Sequence, residues 1–251
     1  DAGRALDRPD WIAAAELAFG RIVQLLGDGD RLGHAARAGR RTFPGFSTDY
    51  GAMIRAALAL DEAAGFDAYG RQAVAWLHVL DEHHWVDERG AYALAADDAE
   101  ALVVRLANAV DEATPSGNGL AAEANVRLWL ETGEDHMRRH AARLFASFAG
   151  EAAANVFGHA SLLNALDSRL DGLQVVIAAP DHESAEPLAA VVRRSVIPGR
   201  VVSRVHNGEK PAGHPAAGKG SIDGRAAAYV CRGETCSLPI VEPEALARAL
   251  R

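Results

Sequence analysis

With 251 residues, 49% of them hydrophobic and 24% charged, the chain has the make-up of a folded globular protein and the length for one large domain or two small ones. A net charge of −8 with no dominant basic patch argues against nucleic acid as the main partner. No apolar run approaches the ~20 residues of a membrane span, no signal peptide opens the chain, and two cysteines are too few for a disulfide framework, so a reducing cytoplasm is the expected compartment.

The first two thirds read as six helices in pairs. Residues 11–26 carry Trp11, Ala15, Ala18, Ile22 and Leu25 at helical spacing, and Gly27 ends them. Residues 47–64 carry Tyr50, Met53, Ile54, Ala57 and Leu58, with Gly65 as the stop. Asp67 then caps a helix showing Tyr69, Ala73, Trp76, Leu77 and Leu80. A short antiparallel excursion follows, turning at residues 87–90, with Tyr92 and Leu94 in its return limb. The fourth, fifth and sixth helices are expected at about 115–131, 135–148 and 152–170. Three such hairpins form a helical array over residues 1–171. Residues 172–251 change character. A β-branched run at 173–179, a helix at 184–194 and a strand at 200–205 make a βαβ unit. A Gly/Pro-rich loop at 207–220, a strand at 226–231 and a helix at 243–250 complete a small α/β subdomain.

Residues 111–119, D-E-A-T-P-S-G-N-G, have the chemistry of a helix start. Thr114 is placed to be the N-cap and Pro115 the first helical residue. Ser116, Gly117 and Asn118 follow with little bulk. Their backbone N–H groups are suited to receive a carboxylate, a phosphate or a sugar hydroxyl, or simply to form an ordinary capped helix.

Three segments occur in order: P-G-F-x-x-D-Y (44–50), A-T-P-S-G-N (113–118) and G-K-G-x-x-D-G-R-x-x-x-Y-V-C-x-x-x-x-C (218–236). In these the chain resembles the C-terminal portion of the spermatogenesis-associated protein 20 family, thioredoxin-domain-containing proteins of the YyaL type. The resemblance implies a mainly α fold: a partial (α/α)6 toroid of helical hairpins, like those of six-hairpin glycosidases and N-acylglucosamine 2-epimerases, with a small α/β end. It also implies a thioredoxin-like domain, which this chain lacks. Since about three of six hairpins are present, apolar helix faces are expected to need a partner: a preceding portion of a longer polypeptide, or a second copy. The opening Asp1, without Met, fits a trimmed chain or a piece of a longer one.

By analogy with such toroids, three helix ends are candidates for one rim. Asp49, Asp111 and His84 are the candidate catalytic groups, as general acid and base on a sugar or for proton abstraction near a carbonyl. Tyr50, Trp85, Ser116 and Asn118 are the candidate substrate-binding groups, with Trp85 and Tyr92 available to stack on a pyranose. Each also has a structural reading. Asp49 suits a helix N-terminus, the adjacent His83 and His84 cannot share a helix face, and Trp85 suits a core position. Cys231 and Cys236 form a candidate thiol pair: the turn between them is of a length that brings them within disulfide reach, and the reduced state in a packing or stapling role is the favoured reading. A zinc site with His206 and His214 matches no usual spacing, so no metal and no cofactor is expected. The G-K-G stretch lacks the second Gly and the Ser/Thr of a P-loop. Two functions remain in view. One is a carbohydrate-active portion working by epimerisation or glycosidic cleavage. The other is a non-catalytic scaffold or interaction module partnering a thioredoxin-like domain, towards which the 6% aromatic content leans.

Overall fold

A computed structural model describes residues 1–64, 67–101, 103–195, 197, 199–206, 214, 216–233 and 235–250. The chain runs α1 (Ala2–Ala5), α2 (Pro9–Leu26), β1 (Gly27–Asp28), β2 (Arg31–Leu32), β3 (Ala35–Arg37), β4 (Arg40–Thr42), α3 (Ser47–Ala64), α4 (Asp67–His83), β5 (Trp85–Val86) and β6 (Ala91–Tyr92). It continues through α5 (Gly117–Thr132), α6 (Asp135–Ala154), a 3-10 turn (Phe157–His159), α7 (Ala160–Leu170), β7 (Leu173–Ala179), α8 (His182–Arg194), β8 (Val201–His206), β9 (Ala227–Arg232), β10 (Thr235–Cys236) and α9 (Pro243–Ala249). The Gly65 stop, the Asp67 side chain and residues 207–213 and 215 of the expected loop lie outside what is described. The chain is mainly helical with a small sheet. It divides into two compact units that interleave in sequence: a helical unit of Pro9–Val126 with His136–Leu166, and a sheet unit of Asp1–Arg8, Arg127–Asp135 and Asp167–Arg251.

In the helical unit α3 and α4 pack closely along the stripes that periodicity marks. Tyr50, Ile54, Ala57 and Leu58 on α3 are buried, as are Ala73, Trp76, Leu77 and Leu80 on α4. Burying the leucines and the isoleucine among these stabilises by about 1.5–3 kcal/mol each. Helix α2 behaves differently. Its periodic stripe, Trp11, Ala15, Ala18, Ile22 and Leu25, is exposed, while Phe19 is buried and Ile12, Val23 and Leu26 are half-buried. Phe19 meets the rings of Tyr69 and Trp76 at 5.4 and 5.7 Å, and the Tyr69 hydroxyl donates to Glu16 at 3.2 Å. This helix is therefore apolar on two faces, and the one that a single-stripe reading selects is the uncovered one.

Other boundaries shift for local reasons. Residues 27–42 hold two short hairpins, β1–β2 and β3–β4, which no alternation in the sequence announces. Helix α5 starts at Gly117 rather than Pro115, with Ser116 and not Thr114 as its cap. The Ser116 hydroxyl accepts from Gly119 N–H at 3.0 Å, and its carbonyl opens the helical ladder at Leu120. Helix α6 runs on to Ala154. The expected sixth helix starts only at Ala160, because the Asn155 side chain accepts from Gly158 N–H at 3.0 Å and turns the chain first.

In the sheet unit the strand order is β10-β9-β7-β8, with β7 parallel to β8 and antiparallel to β9. All seven residues of β7 are buried, as expected of a strand covered on both faces. Leu173, Val175 and Ile177 join Leu188, Val192 and Leu246 on one side; Val176 and Ala178 join Val205 and Cys231 on the other. Helix α8 is capped by Asp181, whose carboxylate accepts from Ser184 N–H at 2.8 Å. The Leu130 carbonyl, in the last turn of α5, takes the Ser203 hydroxyl at 2.5 Å and His214 Nε2 at 3.0 Å, which satisfies an otherwise orphaned helix-end acceptor.

Candidate functional site

The starts of α3, α5 and α7 meet, and glycines make the approach possible. A Cβ on Gly117 would stand 2.6 Å from the Ser47 hydroxyl, one on Gly51 2.6 Å from the Leu120 Cβ, and one on Gly119 1.8 Å from the Ser161 hydroxyl. At this junction Asp111 accepts from Ser116 N–H at 2.8 Å, from Ser161 N–H at 2.7 Å and from the Ser161 hydroxyl at 2.5 Å. Burial alone raises its pKa, but these donors outweigh it and hold the carboxyl below the ordinary value. Asn118 is buried. Its Oδ1 accepts from Tyr92 N–H at 2.8 Å, and its Nδ2 donates to the carbonyls of Tyr92 and Asn108 at 2.9 and 2.7 Å. The N–H groups of the segment thus receive groups of the chain's own: the carboxylate on Ser116 N–H is Asp111.

Asp49 lies at the start of α3 and accepts from Phe46 N–H at 2.7 Å, so it closes the cap of that helix; its other contact is His34 Nδ1 at 2.9 Å. Tyr50 is fully buried, and its hydroxyl accepts from Leu32 N–H at 2.9 Å. Gly45 N–H donates to the Leu32 carbonyl at 2.7 Å, where a Cβ would come within 2.8 Å of that same oxygen. Gly45, Asp49 and Tyr50 of the P-G-F-x-x-D-Y segment therefore hold β2 and cap α3. His84 is fully buried with its ring 5.6 Å from that of Tyr50. Its Nδ1 stands 3.0 Å from the Ala93 carbonyl, so Nδ1 carries the hydrogen, and Nε2 is buried without a hydrogen-bond partner. Burial pushes its pKa down to about 4, against the smaller opposing effect of the Ala93 bond. Of the expected rim, the structure brings Tyr50 to His84, Asn118 to Tyr92, and Asp111 to Ser116.

Trp85 is half-buried in β5. The His140 ring stacks on it at 4.0 Å with 13° between planes, the Arg143 guanidinium lies 5.1 Å from its centroid, and its Nε1 donates to Asp87 at 3.2 Å. Beside it lies a cluster that helical periodicity does not disclose. Asp81 Oδ1 accepts from the Tyr92 hydroxyl at 2.5 Å and meets His140 Nδ1 at 3.0 Å, while Asp81 Oδ2 stands 3.5 Å from His136 Nε2. The Tyr92 hydroxyl also takes Asn125 Nδ2 at 3.1 Å. Tyr92 is fully buried, and burial together with the Asp81 charge pushes its pKa well up. The one local signal was H-x-x-x-H, since His136 and His140 are four apart on one helix face.

Cys231 and Cys236 pair as a disulfide across β9 and β10, where they face each other in register. This corrects the expectation of reduced thiols: the turn between the strands brings them opposite each other. Both ring nitrogens of His214 are committed, Nε2 to Leu130 and Nδ1 as acceptor from Ala216 N–H at 3.0 Å. His206 side-chain placement lies outside what is described. His83, Asp97 and Asp98 cluster in the helical unit, but His83 holds Asp97 at 2.9 Å and Arg31 holds Asp98 with two bonds at 2.5 and 2.9 Å.

No helix among the described residues is long and apolar enough to cross a membrane. No family model matches the chain. It is similar to spermatogenesis-associated protein 20 of Homo sapiens and of Rattus norvegicus, at 25% identity over 219 residues in each case. The match covers 82% of this chain and 27% of each relative, so the chain spans about a quarter of their length. The chain is thus a distant relative of spermatogenesis-associated protein 20, over a stretch consistent with a C-terminal portion of it.

Proposed function

We propose that the helical unit is a non-catalytic scaffold, a portion of a hairpin toroid whose role is to hold a partner such as the thioredoxin-like domain that the family resemblance implies. The observation that carries this reading is the internal use of the signature segment. Asp111 and Asn118 direct their polar atoms to Ser116, Ser161, Tyr92 and Asn108. A catalytic carboxylate pair needs one group protonated and one ionised near neutral pH; Asp111 is held ionised by donors of its own chain. A thermal-shift screen of the chain against neutral, amino and phosphorylated sugars tests it, since a ligand that binds the native state raises the melting temperature. No sugar is expected to do so. A sugar-dependent rise that Asp49→Asn removes, with the unliganded melting temperature unchanged, would overturn the scaffold reading.

A second reading, carbohydrate epimerisation, draws support from the Asp81–His140 pair. Asp81 orients Nδ1 of His140, which leaves Nε2 as the proton-accepting nitrogen beside the Trp85 ring. A single oriented base suits proton abstraction next to a carbonyl better than glycosidic cleavage, which requires two carboxyl groups. Solvent deuterium incorporation at the carbon next to the carbonyl of a reducing sugar, lost in His140→Gln, is its measurement.

A further inference from the structure

We propose that His78, Asp81 and His136 form a binding site for one zinc-type divalent cation, which ties α4 to the first turn of α6. This goes beyond the scaffold reading and does not rest on it. His78 and Asp81 are three residues apart on α4, so one face of that helix presents an imidazole next to a carboxylate. His136 stands at the start of α6 and approaches both. Its ring centroid lies 5.7 Å from that of His78, and one nitrogen of each ring lies within 4.8 Å of the other. Its Nε2 stands 3.5 Å from Asp81 Oδ2.

The 3.5 Å distance is long for a charge-assisted hydrogen bond, which settles at about 2.7–2.9 Å. It is close to the spacing of two ligand atoms on one metal. With each ligand about 2.0–2.1 Å from a tetrahedral zinc, neighbouring ligand atoms stand about 3.3 Å apart. The carboxylate is also held for this use. Asp81 Oδ1 accepts from the Tyr92 hydroxyl at 2.5 Å and meets His140 Nδ1 at 3.0 Å, and the Tyr92 hydroxyl in turn takes Asn125 Nδ2 at 3.1 Å. These bonds occupy one carboxylate oxygen and leave the other on the His136 side. Groups that do not touch the metal commonly orient a metal-binding carboxylate in this way. The Asp81 and His136 side chains are part-buried, whereas His78 is exposed. The His78 ring is therefore the ligand that turns inward to complete the set, and water takes the fourth position. Two imidazoles with one carboxylate favour zinc and its neighbours over magnesium and calcium, which take oxygen ligands.

Titration of the untagged, EDTA-stripped chain with cobalt(II) and zinc at neutral pH is the experiment, with the visible absorption of cobalt reporting its coordination. One cobalt per chain should bind with the intense visible bands of a four-coordinate ion, and zinc but not magnesium should displace it. His78→Ala should weaken zinc binding at least about tenfold. Its metal-free melting temperature should stay put, because His78 is exposed. His136→Ala and Asp81→Asn should weaken binding at least as much. His83→Ala, in the other histidine–carboxylate cluster, should leave binding unchanged. A wild type with no saturable site would overturn the proposal, as would zinc affinity indifferent to His78→Ala and His136→Ala. A loss in His83→Ala alone would overturn it as well, by moving the metal to the other cluster. Full affinity in a folded Asp81→Asn would remove Asp81 as a ligand and with it the proposed set.

Discussion

Asp111 holds Ser161 by two bonds at once, from its backbone N–H at 2.7 Å and from its hydroxyl at 2.5 Å, across 50 residues of chain. Since Ser161 lies in the first turn of α7, and the same carboxylate holds Ser116 at the head of α5, one side chain fixes the relative start of two helices. Asp111→Ala removes an acceptor for three donors and should lower stability by about 3 kcal/mol, read as an earlier urea midpoint with an unchanged slope. Asp111→Asn, which keeps one acceptor oxygen, should lose less. An unchanged midpoint in both would return Asp111 to the list of ligand-binding candidates.

Two glycines in helices should respond to alanine with opposite signs. At Gly119 the new Cβ would lie 1.8 Å from the Ser161 hydroxyl and 2.8 Å from its Cβ, so the starts of α5 and α7 must separate. A loss of about 2–4 kcal/mol is expected. Gly150, inside α6, has nothing within 4 Å of an added Cβ and should gain roughly 0.5–1 kcal/mol. Thermal melts of the two variants check the pair.

His84 makes stability depend on pH in one direction. Its folded pKa of about 4 lies below the ordinary value of 6.5, so between these limits the unfolded chain binds the extra proton. Its contribution is complete above pH 6.5, declines as pH falls towards 4, and is level below that. The full span is on the order of 3 kcal/mol. In His84→Asn, urea unfolding at pH 7 and pH 4.5 should differ less than in the wild type. An equal difference in both proteins would show that another group supplies the slope.

The Cys231–Cys236 bridge closes a short loop, and removing it should cost roughly 2 kcal/mol by chain entropy. Thiol titration of the native protein should find free thiols only after reduction. Cys231→Ala with Cys236→Ala should lower the unfolding midpoint without altering the far-ultraviolet spectrum, because β9 remains paired to β7.

Legibility in the sequence followed how far each determinant lay from its target. The stripes of α3 and α4 were readable because each helix buries one periodic face. Helix α2 was misleading because it has two apolar faces, and periodicity does not say which has a neighbour. In T-P-S the local pattern points to Thr114 as the N-cap. Asp111 and the chain at Ser161 make Ser116 the one used, and no local pattern carries a contact across 50 residues. The Asp81–His140 pair spans 59 residues and left only the i,i+4 histidines as a trace. Residues 44–50 and 111–119 stand out in the sequence, and in the structure Asp49, Tyr50, Asp111 and Asn118 bond to other parts of the chain.

Asn118 carries one more consequence. A two-stranded ribbon such as β5–β6 has an outer edge on each side, and an open edge is a template for a foreign strand. In this ribbon Trp85 and Tyr92 are paired in register, while the amide of Asn118 takes both the N–H and the carbonyl of Tyr92, as a third strand would. The Asn118 amide thus occupies that edge at Tyr92, and Asn118→Ala should leave a protein more prone to aggregate than its lost stability alone explains.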